Sequence, residues 1–543
     1  MLTFAPMTRS ERITFYALSL FLFLPNLMGA CMAVDIASAA DRAVYLVCAL
    51  FFYLLGLALL KRRTFFYVAS ISFLFAAVEI VHLVVNRATT SLLFVYTCVI
   101  SEKGEFLELL SSYWFVVVAF FALWGVYFYC AHRFIRNEYT FPLHGRHGRI
   151  AAGFVLPLCI CVYALIPALR QTMLKVSPLN ICVRLQQISL LEHDITRSEQ
   201  NLHSFSYGIQ PVADTDSTVV VFLIGETSRY DHWQLNGYAR PTSPYMLARA
   251  EAGQLISFDS CYSIANLTTV SVPLMLSRAT PQQPRLYLQE KSLVDAFHEA
   301  GYYTAWIADQ SFTNRFLLQI SGRCDYTQYI RDDKRHECFV DTVLLAPLQS
   351  VLAGSSPHKM IVLHSLGCHY KYSARYPESH RIYVPDKDGL NTSRKEVMVN
   401  SYDNAITFTD YFLERVIDQL EQTGKQAVLV YVGDHGENLL DDERGMFLHG
   451  TYSGSYYEYH VPLFVWTSVQ WRAAHADQQA ALSANQSKKI STMHLFHSLL
   501  DMAAISYDSL DASRSIVRPD MPSLPVVYGL DANLQPFMIP TQP

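Results

Sequence analysis

Apolar residues are not spread evenly along this chain. Five apolar runs crowd its first third, over residues 13–34, 44–60, 65–85, 113–130 and 150–169. Each is long enough, or nearly so, to cross about 30 Å of hydrocarbon as a helix. None has the polar stripe of a helix that covers a water-soluble core. The pattern predicts a five-span membrane domain over residues 1–170. Lys and Arg then set its direction. Arg9 and Arg12 precede the first run, Lys61, Arg62 and Arg63 separate the second from the third, and Arg133, Arg136, Arg146 and Arg149 separate the fourth from the fifth. The other two loops carry Asp35, Asp41, Glu102, Glu105 and Glu108. The expectation is a cytoplasmic N-terminus and an outer location for everything after Arg170. Ala37-Ser38-Ala39 looks like a signal-peptidase site, but the apolar stretch before it is too long for a usual signal peptide, so a retained anchor is expected. Glu79 and His82 stand near the outer end of the third run, where snorkelling to the interface is the expectation.

Residues 171–215 mix apolar and charged positions and are expected to form one or two amphipathic interfacial helices. From residue 216 to 543 the pattern changes. Apolar runs suited to buried strands, "TVVVFLIG", "YYTAWIAD", "KMIVLHSLG", "AVLVYVGD" and "VPLFVWTS", alternate with helical stretches. Helices are expected over "SLVDAFHEAGY", "FVDTVLLAPLQSVLAG", residues 400–422 and "STMHLFHSLLDMAAI". Near-continuous apolar strands separated by helices predict an α/β domain with a mostly parallel sheet covered on both faces. Sites in such sheets form at the carboxyl ends of strands.

Composition narrows the classes. The 543 residues are 51% hydrophobic with net charge −5, and mean hydropathy is +0.17. That charge gives no electrostatic footprint for nucleic acid. No pair among the 11 cysteines has zinc-ribbon spacing. Cys324 and Cys338 bracket a short polar segment and suit a disulfide in an oxidising compartment.

Two strand ends carry chemistry. The first strand runs into Gly225-Glu226-Thr227-Ser228-Arg229, and a later one into Gly433-Asp434-His435-Gly436-Glu437. Glu226, Asp434 and His435 form an O/O/N ligand set that suits zinc or manganese better than magnesium. Between them "ANLTTVSVPLM" leads a polar segment with two threonines into a helix. A hydroxyl at a helix N-terminus sits where a phosphate or an alkoxide is stabilised. A metal on that hydroxyl makes it a nucleophile. His369 and His449 recur in loops after strands and suit phosphoryl oxygens, a second metal or the leaving group. His364 lies within its strand and is expected to be structural.

These strings resemble the phosphoethanolamine transferases of Gram-negative envelopes, a branch of the alkaline phosphatase/sulfatase-like superfamily. The likeness rests on "GETSRYDHWQLNGYARPTSP", "LTTVSVP", "LHSLGCHYKYSARYP", "VYVGDHGENL", "LHGT" and "HVPLFVW", in that order. The resemblance implies a zinc held by Glu226, Thr268, Asp434 and His435, with Thr268 as nucleophile and Thr269 as the fallback. It implies one tight zinc site, with room for a second ion during turnover. It places His369 and His449 on the phosphate or a second metal, and Glu105 of "SEKGEFLELLSS" on the lipid donor, although the family's preceding Asn-Pro is missing. Gln310 and Asn314 stand where members that modify lipid A often carry a lysine. Leu274 replaces the cysteine that pairs with Cys261 in several members, so Cys261 is expected to be free.

The function implied is transfer of phosphoethanolamine from phosphatidylethanolamine to lipopolysaccharide or a periplasmic glucan, through a phosphorylated threonine. The location implied is the bacterial inner membrane, with the catalytic domain in the periplasm. The alternatives are a glycerol-phosphate transferase of the lipoteichoic acid synthase type, a metal-dependent phosphatase, and a domain that only binds. A sulfatase is disfavoured, because no cysteine is followed two places later by proline.

Overall fold

The computed structural model describes residues 7–100, 114–140, 167–212, 217–311, 314–331, 340–389, 394–441, 445–452, 454–508 and 510–542. The chain divides into two compact units, Met1–Leu190 and Leu191–Pro543.

The first unit is helical. Its described elements include α1 (Arg9–Met32), α2 (Ala39–Leu59), α3 (Arg62–Asn86), α4 (Leu92–Ile100) and α5 (Trp114–Phe134). Among the described residues, Arg9–Met32, Ala39–Leu59 and Val117–Phe134 are long and apolar enough to cross a membrane. Arg62–Ser72 and Phe75–Val84 add a fourth span if their 50° bend is taken as one broken helix. The fifth expected run and Glu105 fall largely or wholly outside the described residues. Ile13, Leu20, Val47, Val118 and Val126 are all more than half exposed. Water would penalise so much bare apolar surface, whereas lipid does not.

Several buried polar groups are paired within this unit, and an exposed pair caps a helix. Ser38 caps α2 in a reciprocal box with Asp41, which gives the Ala37-Ser38-Ala39 string a structural role. Arg62 forms a buried ion pair with Glu11 at 3.1 Å. Glu79 and His82 do not snorkel: both are fully buried. Glu79 accepts from Asn180 at 2.6 Å and from the Thr90 hydroxyl. Unpaired carboxylates are costly in hydrocarbon, so inward partners substitute for the interface. The stretch expected to carry interfacial helices contains Pro167–Met173 and α6 (Leu179–Leu202).

The second unit is built on a seven-stranded sheet. Its strands are β1 (Thr218–Gly225), β2 (Leu255–Ser257), β3 (Tyr303–Ala308), β4 (Tyr326–Tyr329), β5 (Lys359–His364), β6 (Gln426–Gly433) and β7 (Leu463–Thr467). The order across the sheet is β2-β7-β6-β1-β5-β3-β4. The central strands run parallel. β7 is antiparallel to both β6 and β2, so the sheet is mostly parallel, as expected, with one reversed strand that makes it mixed.

Every residue of β1 is buried, because both of its faces are covered. Val220, Phe222 and Ile224 enter a core with Trp471 and Phe496. Val219, Val221 and Leu223 enter another with Tyr402 and Phe412 of the helix α8 (Lys395–Gln422). This two-sided burial removes the hydrophobic alternation that a half-exposed strand would show. It also fixes register, since a slip by one residue would exchange the two faces.

Candidate metal centre

Parallel pairing of β1 and β6 aligns Gly225 with Gly433. The next residues, Glu226 and Asp434, therefore leave the sheet side by side at its carboxyl edge. The Asp434 N–H donates to the Gly225 carbonyl at 2.8 Å, which carries the pairing one residue further. Ligand atoms of Glu226, Asp434 and His435 lie within 4.8 Å of one another, and all three residues are buried. His435 Nε2 is 3.5 Å from Glu226 Oε1 and 3.5 Å from Asp434 Oδ2.

The donor set fits a cation. Asp434 Oδ1 accepts the backbone N–H groups of Thr227 and His435 at 3.0 and 2.8 Å. Its Oδ2 is buried with no hydrogen-bond partner. A buried carboxylate oxygen left bare is costly unless an ion uses it. His435 Nδ1 lies 2.9 Å from the Gly436 carbonyl, an arrangement that places the proton on Nδ1 and the lone pair on Nε2. Burial, with Asp434 beside it, pushes the Glu226 carboxyl well above its ordinary value. Burial pushes His435 down, against the pull of Asp434. A cation placed among them removes that conflict.

Thr268 opens the helix α7 (Thr268–Met275), whose N-cap Leu267 supplies no side-chain bond. The first N–H groups of a helix have no intrahelical partner. Thr268 Oγ1 lies 3.0 and 3.1 Å from the two Glu226 oxygens and 3.2 Å from His435 Nε2. Thr269 Oγ1 is buried without a hydrogen bond. Of the two neighbouring threonines, the fold thus brings Thr268 to the cluster. The Ser263 hydroxyl donates to the Asp434 carbonyl and anchors the segment leading into the helix.

Gln310, just past β3, donates to Glu226 Oε2 and to the Ser365 carbonyl, both at 3.0 Å. The His449 and His435 rings lie 4.1 Å apart. His369 Nδ1 is 2.7 Å from the Tyr370 carbonyl. Burial, Arg375 and His449 together push His369 down to about 3. Asn314 is not part of the cluster: it caps a helix by accepting the Leu317 N–H at 3.1 Å. His364 is buried, with its ring 6.0 Å from that of Trp306 and its Nε2 without a hydrogen bond. Cys261 is a buried free thiol and Cys324 is also free. Cys338 lies outside the described residues.

Supports around the ligands escaped the sequence reading. Thr227 holds φ at +54°, a left-handed conformation that is rare for a β-branched residue. Strain of this kind costs on the order of 1–3 kcal/mol and needs surroundings that enforce it. Tyr402 enforces it, because its hydroxyl donates to the Thr227 carbonyl at 2.7 Å and accepts the Arg229 N–H at 2.9 Å. Glu437 is fully buried and touches His449, with Oε1 3.1 Å from Nδ1. The acidic residue in "GDHGE" was visible, but nothing in the string points to a histidine twelve residues on.

Known proteins resemble the chain in sequence and in fold. Residues 218–505 match the sulfatase family. Phosphoethanolamine transferase EptC of Escherichia coli K12 is 32% identical over 314 residues, 55% of this chain and 53% of that protein. The match thus spans about half the length of that curated relative. The C-terminal periplasmic domain of E. coli EptC, solved in complex with Zn, is 29% identical and superposes with a TM-score of 0.54 over 61% of this chain and 96% of that one. The integral membrane lipooligosaccharide phosphoethanolamine transferase A of Neisseria meningitidis has a TM-score of 0.67, covering 96% of this chain and 100% of that one. At 19% identity this last likeness is one of fold.

Proposed function

Since the chain belongs to the sulfatase family, we propose that it carries phosphoethanolamine from phosphatidylethanolamine to a lipopolysaccharide or glucan acceptor in the bacterial envelope. The observation that carries the reading is the Thr268 hydroxyl, 3.0 to 3.2 Å from Glu226 and His435, at the start of a helix. Glu226, Thr268, Asp434 and His435 would hold one zinc, and their O/N donors suit that ion. When bound, the metal lowers the pKa of the threonine hydroxyl and offsets charge on the phosphoryl oxygens.

Thr268 Oγ bonds to the donor phosphorus as the bond from phosphorus to the glycerol oxygen breaks. Diacylglycerol leaves with a proton, and Thr268 holds the phosphoethanolamine group. The acceptor oxygen then attacks the same phosphorus and releases Thr268. His449 carries the proton from the incoming to the outgoing oxygen in each half-reaction. Gln310 steadies Glu226, and His369 faces the phosphoryl oxygens. The helices of residues 1–170 keep the enzyme where its two-chain donor already lies, so no lipid has to be extracted into water. Residues 171–215 join them to a catalytic domain over 216–543. The distribution of Lys and Arg supports a cytoplasmic N-terminus with the catalytic domain on the outer side, which suits an anchor in the bacterial inner membrane and a periplasmic site.

The test uses the full chain in liposomes containing headgroup-labelled phosphatidylethanolamine or phosphatidylglycerol. Label from phosphatidylethanolamine should appear on the peptide bearing Thr268 and be absent from Thr268→Ala. Label arriving from phosphatidylglycerol instead would favour glycerol-phosphate transfer. No label from either lipid would remove the reading.

A further inference from the structure

Glu437 follows the ligand pair Asp434–His435 but points at a different histidine. The short strands Asn438–Leu439 and Phe447–Leu448 pair antiparallel, with Asn438 opposite Leu448. Glu437 and His449 are the next residues along this ladder and face each other. Glu437 Oε1 lies 3.1 Å from His449 Nδ1, and Oε2 accepts the Tyr372 hydroxyl at 2.9 Å. Both Glu437 and Tyr372 are fully buried. The Tyr372 backbone is itself fixed, its N–H donating to Asp388 at 3.0 Å.

The backbone around His449 is anchored, with the Leu448 carbonyl accepting from Asn438 at 2.6 Å and the Thr451 N–H donating to Glu458 at 3.1 Å. What remains to be set is the rotation of the ring, which depends on what its side chain touches. A carboxylate on one imidazole nitrogen selects the tautomer with the proton there and fixes the ring plane. We propose that Glu437 is a positioning residue, which holds His449 with its proton on Nδ1 and reserves Nε2 for the proton moved during phosphoryl transfer. His435 shows the same arrangement, with Nδ1 bonded to a carbonyl and Nε2 reaching Thr268. Tyr372 completes the device by occupying the second carboxylate oxygen, so that Glu437 does not rotate away from His449. This role rests on the reading of His449 as proton carrier.

The test has an arm that does not need catalysis. In 15N-histidine-labelled full chain reconstituted in liposomes, solid-state NMR should show His449, assigned by its loss in His449→Asn, protonated on Nδ1. That signal should be present in metal-free and zinc-loaded protein and lost in Glu437→Ala. A wild-type His449 protonated on Nε2 alone overturns the proposal, whatever the enzyme does. In the second arm, Glu437→Gln, which keeps the side chain's shape, should lower kcat at least tenfold with little change in KM for the lipid, and Tyr372→Phe less. The Glu437→Gln loss should vanish in a His449→Asn background. Losses that simply multiply would show that Glu437 acts elsewhere and would also overturn it. If the NMR result holds while no transfer is found, the transferase reading fails and the positioning of His449 stands.

Discussion

A methyl group on the α-carbon of Gly367 would sit 2.7 Å from the carbonyl oxygen of Glu226 and 2.9 Å from its nitrogen. Gly367 also holds φ at +48°, which alanine adopts only with strain. The loop after β5 therefore presses on the backbone of a proposed metal ligand, and only glycine permits the approach. The Cys368 N–H completes the contact by donating to the Glu226 carbonyl at 3.0 Å. Gly367→Ala should destabilise the catalytic domain by about 1–3 kcal/mol through strain and overpacking. It should also weaken zinc binding at least tenfold. Thermal melting and calorimetric zinc titration check the two effects. Unchanged zinc affinity would mean that the loop does not set the position of Glu226.

Thr268→Ala should abolish transfer and the protein-bound label while shifting the melting temperature little, since Thr268 is part-exposed. Thr268→Ser keeps the hydroxyl but adds rotamer freedom, so it should retain measurable transfer at a reduced rate. Labelling of Thr268→Ala at the wild-type level would move the nucleophile elsewhere.

Asp434→Asn should act in opposite directions with and without metal. Without metal, Asp434 and Glu226 are buried carboxylates that repel, and Asp434 Oδ2 has no hydrogen-bond partner. An amide there relieves the repulsion and should raise stability by about 1–3 kcal/mol. With zinc present, the variant should gain much less from the metal than the wild type does. Melting curves in chelator and in excess zinc should therefore cross. A variant less stable under both conditions would argue against a cation site.

Two buried histidines should cost the second unit stability in acid, against the opposite contribution of carboxylates that burial raises, such as Asp410 at about 7. Burial pushes His460 down to about 4, and burial with Arg514 pushes His497 to about 4. His460 is satisfied when neutral, because Nδ1 accepts from the Tyr456 hydroxyl at 2.5 Å and Nε2 lies 3.1 Å from the Asp259 carbonyl. The unfolded chain takes up protons at these rings from about pH 6.5, while the folded domain resists until much lower pH. The stability these rings contribute is thus full above pH 6.5 and falls as pH drops towards 4, by about 1.4 kcal/mol per ring at pH 5.5. Denaturant midpoints between pH 7 and 5 check this. His497→Gln should flatten the slope, and an unchanged slope would exclude that ring.

The candidate ligand cluster was legible because a buried parallel strand leaves a simple signature, an apolar run that stops at polar residues. β1 and β6 both show it, and their carboxyl ends delivered Glu226, Asp434 and His435. β2 and β4 were not foreseen. "LIS" and "YTQY" are short edge strands, held by their neighbours rather than by their own hydrophobicity. The antiparallel direction of β7 was hidden for a related reason, since an apolar strand buried on both faces reads the same in either direction.

The supports of the site were less visible than its ligands. Tyr402 lies mid-helix in α8, and its contact with Thr227 depends on how that helix packs on the sheet. Gly367 matters for a clash that no local pattern encodes. Glu79 read as an interfacial carboxylate because its partners, Thr90 and Asn180, lie 11 and 101 positions away.

Pairing of Gly225 with Gly433 joins strands separated by some two hundred residues of chain. A polypeptide made from its N-terminus delivers Glu226 and Thr268 long before Asp434 and His435. Until β6 follows, β1 has only β5 beside it and the Glu226 carboxylate lacks its companions. The candidate centre is therefore assembled by one long-range closure late in folding, and a chain cut anywhere between residues 269 and 433 keeps Thr268 but neither Asp434 nor His435.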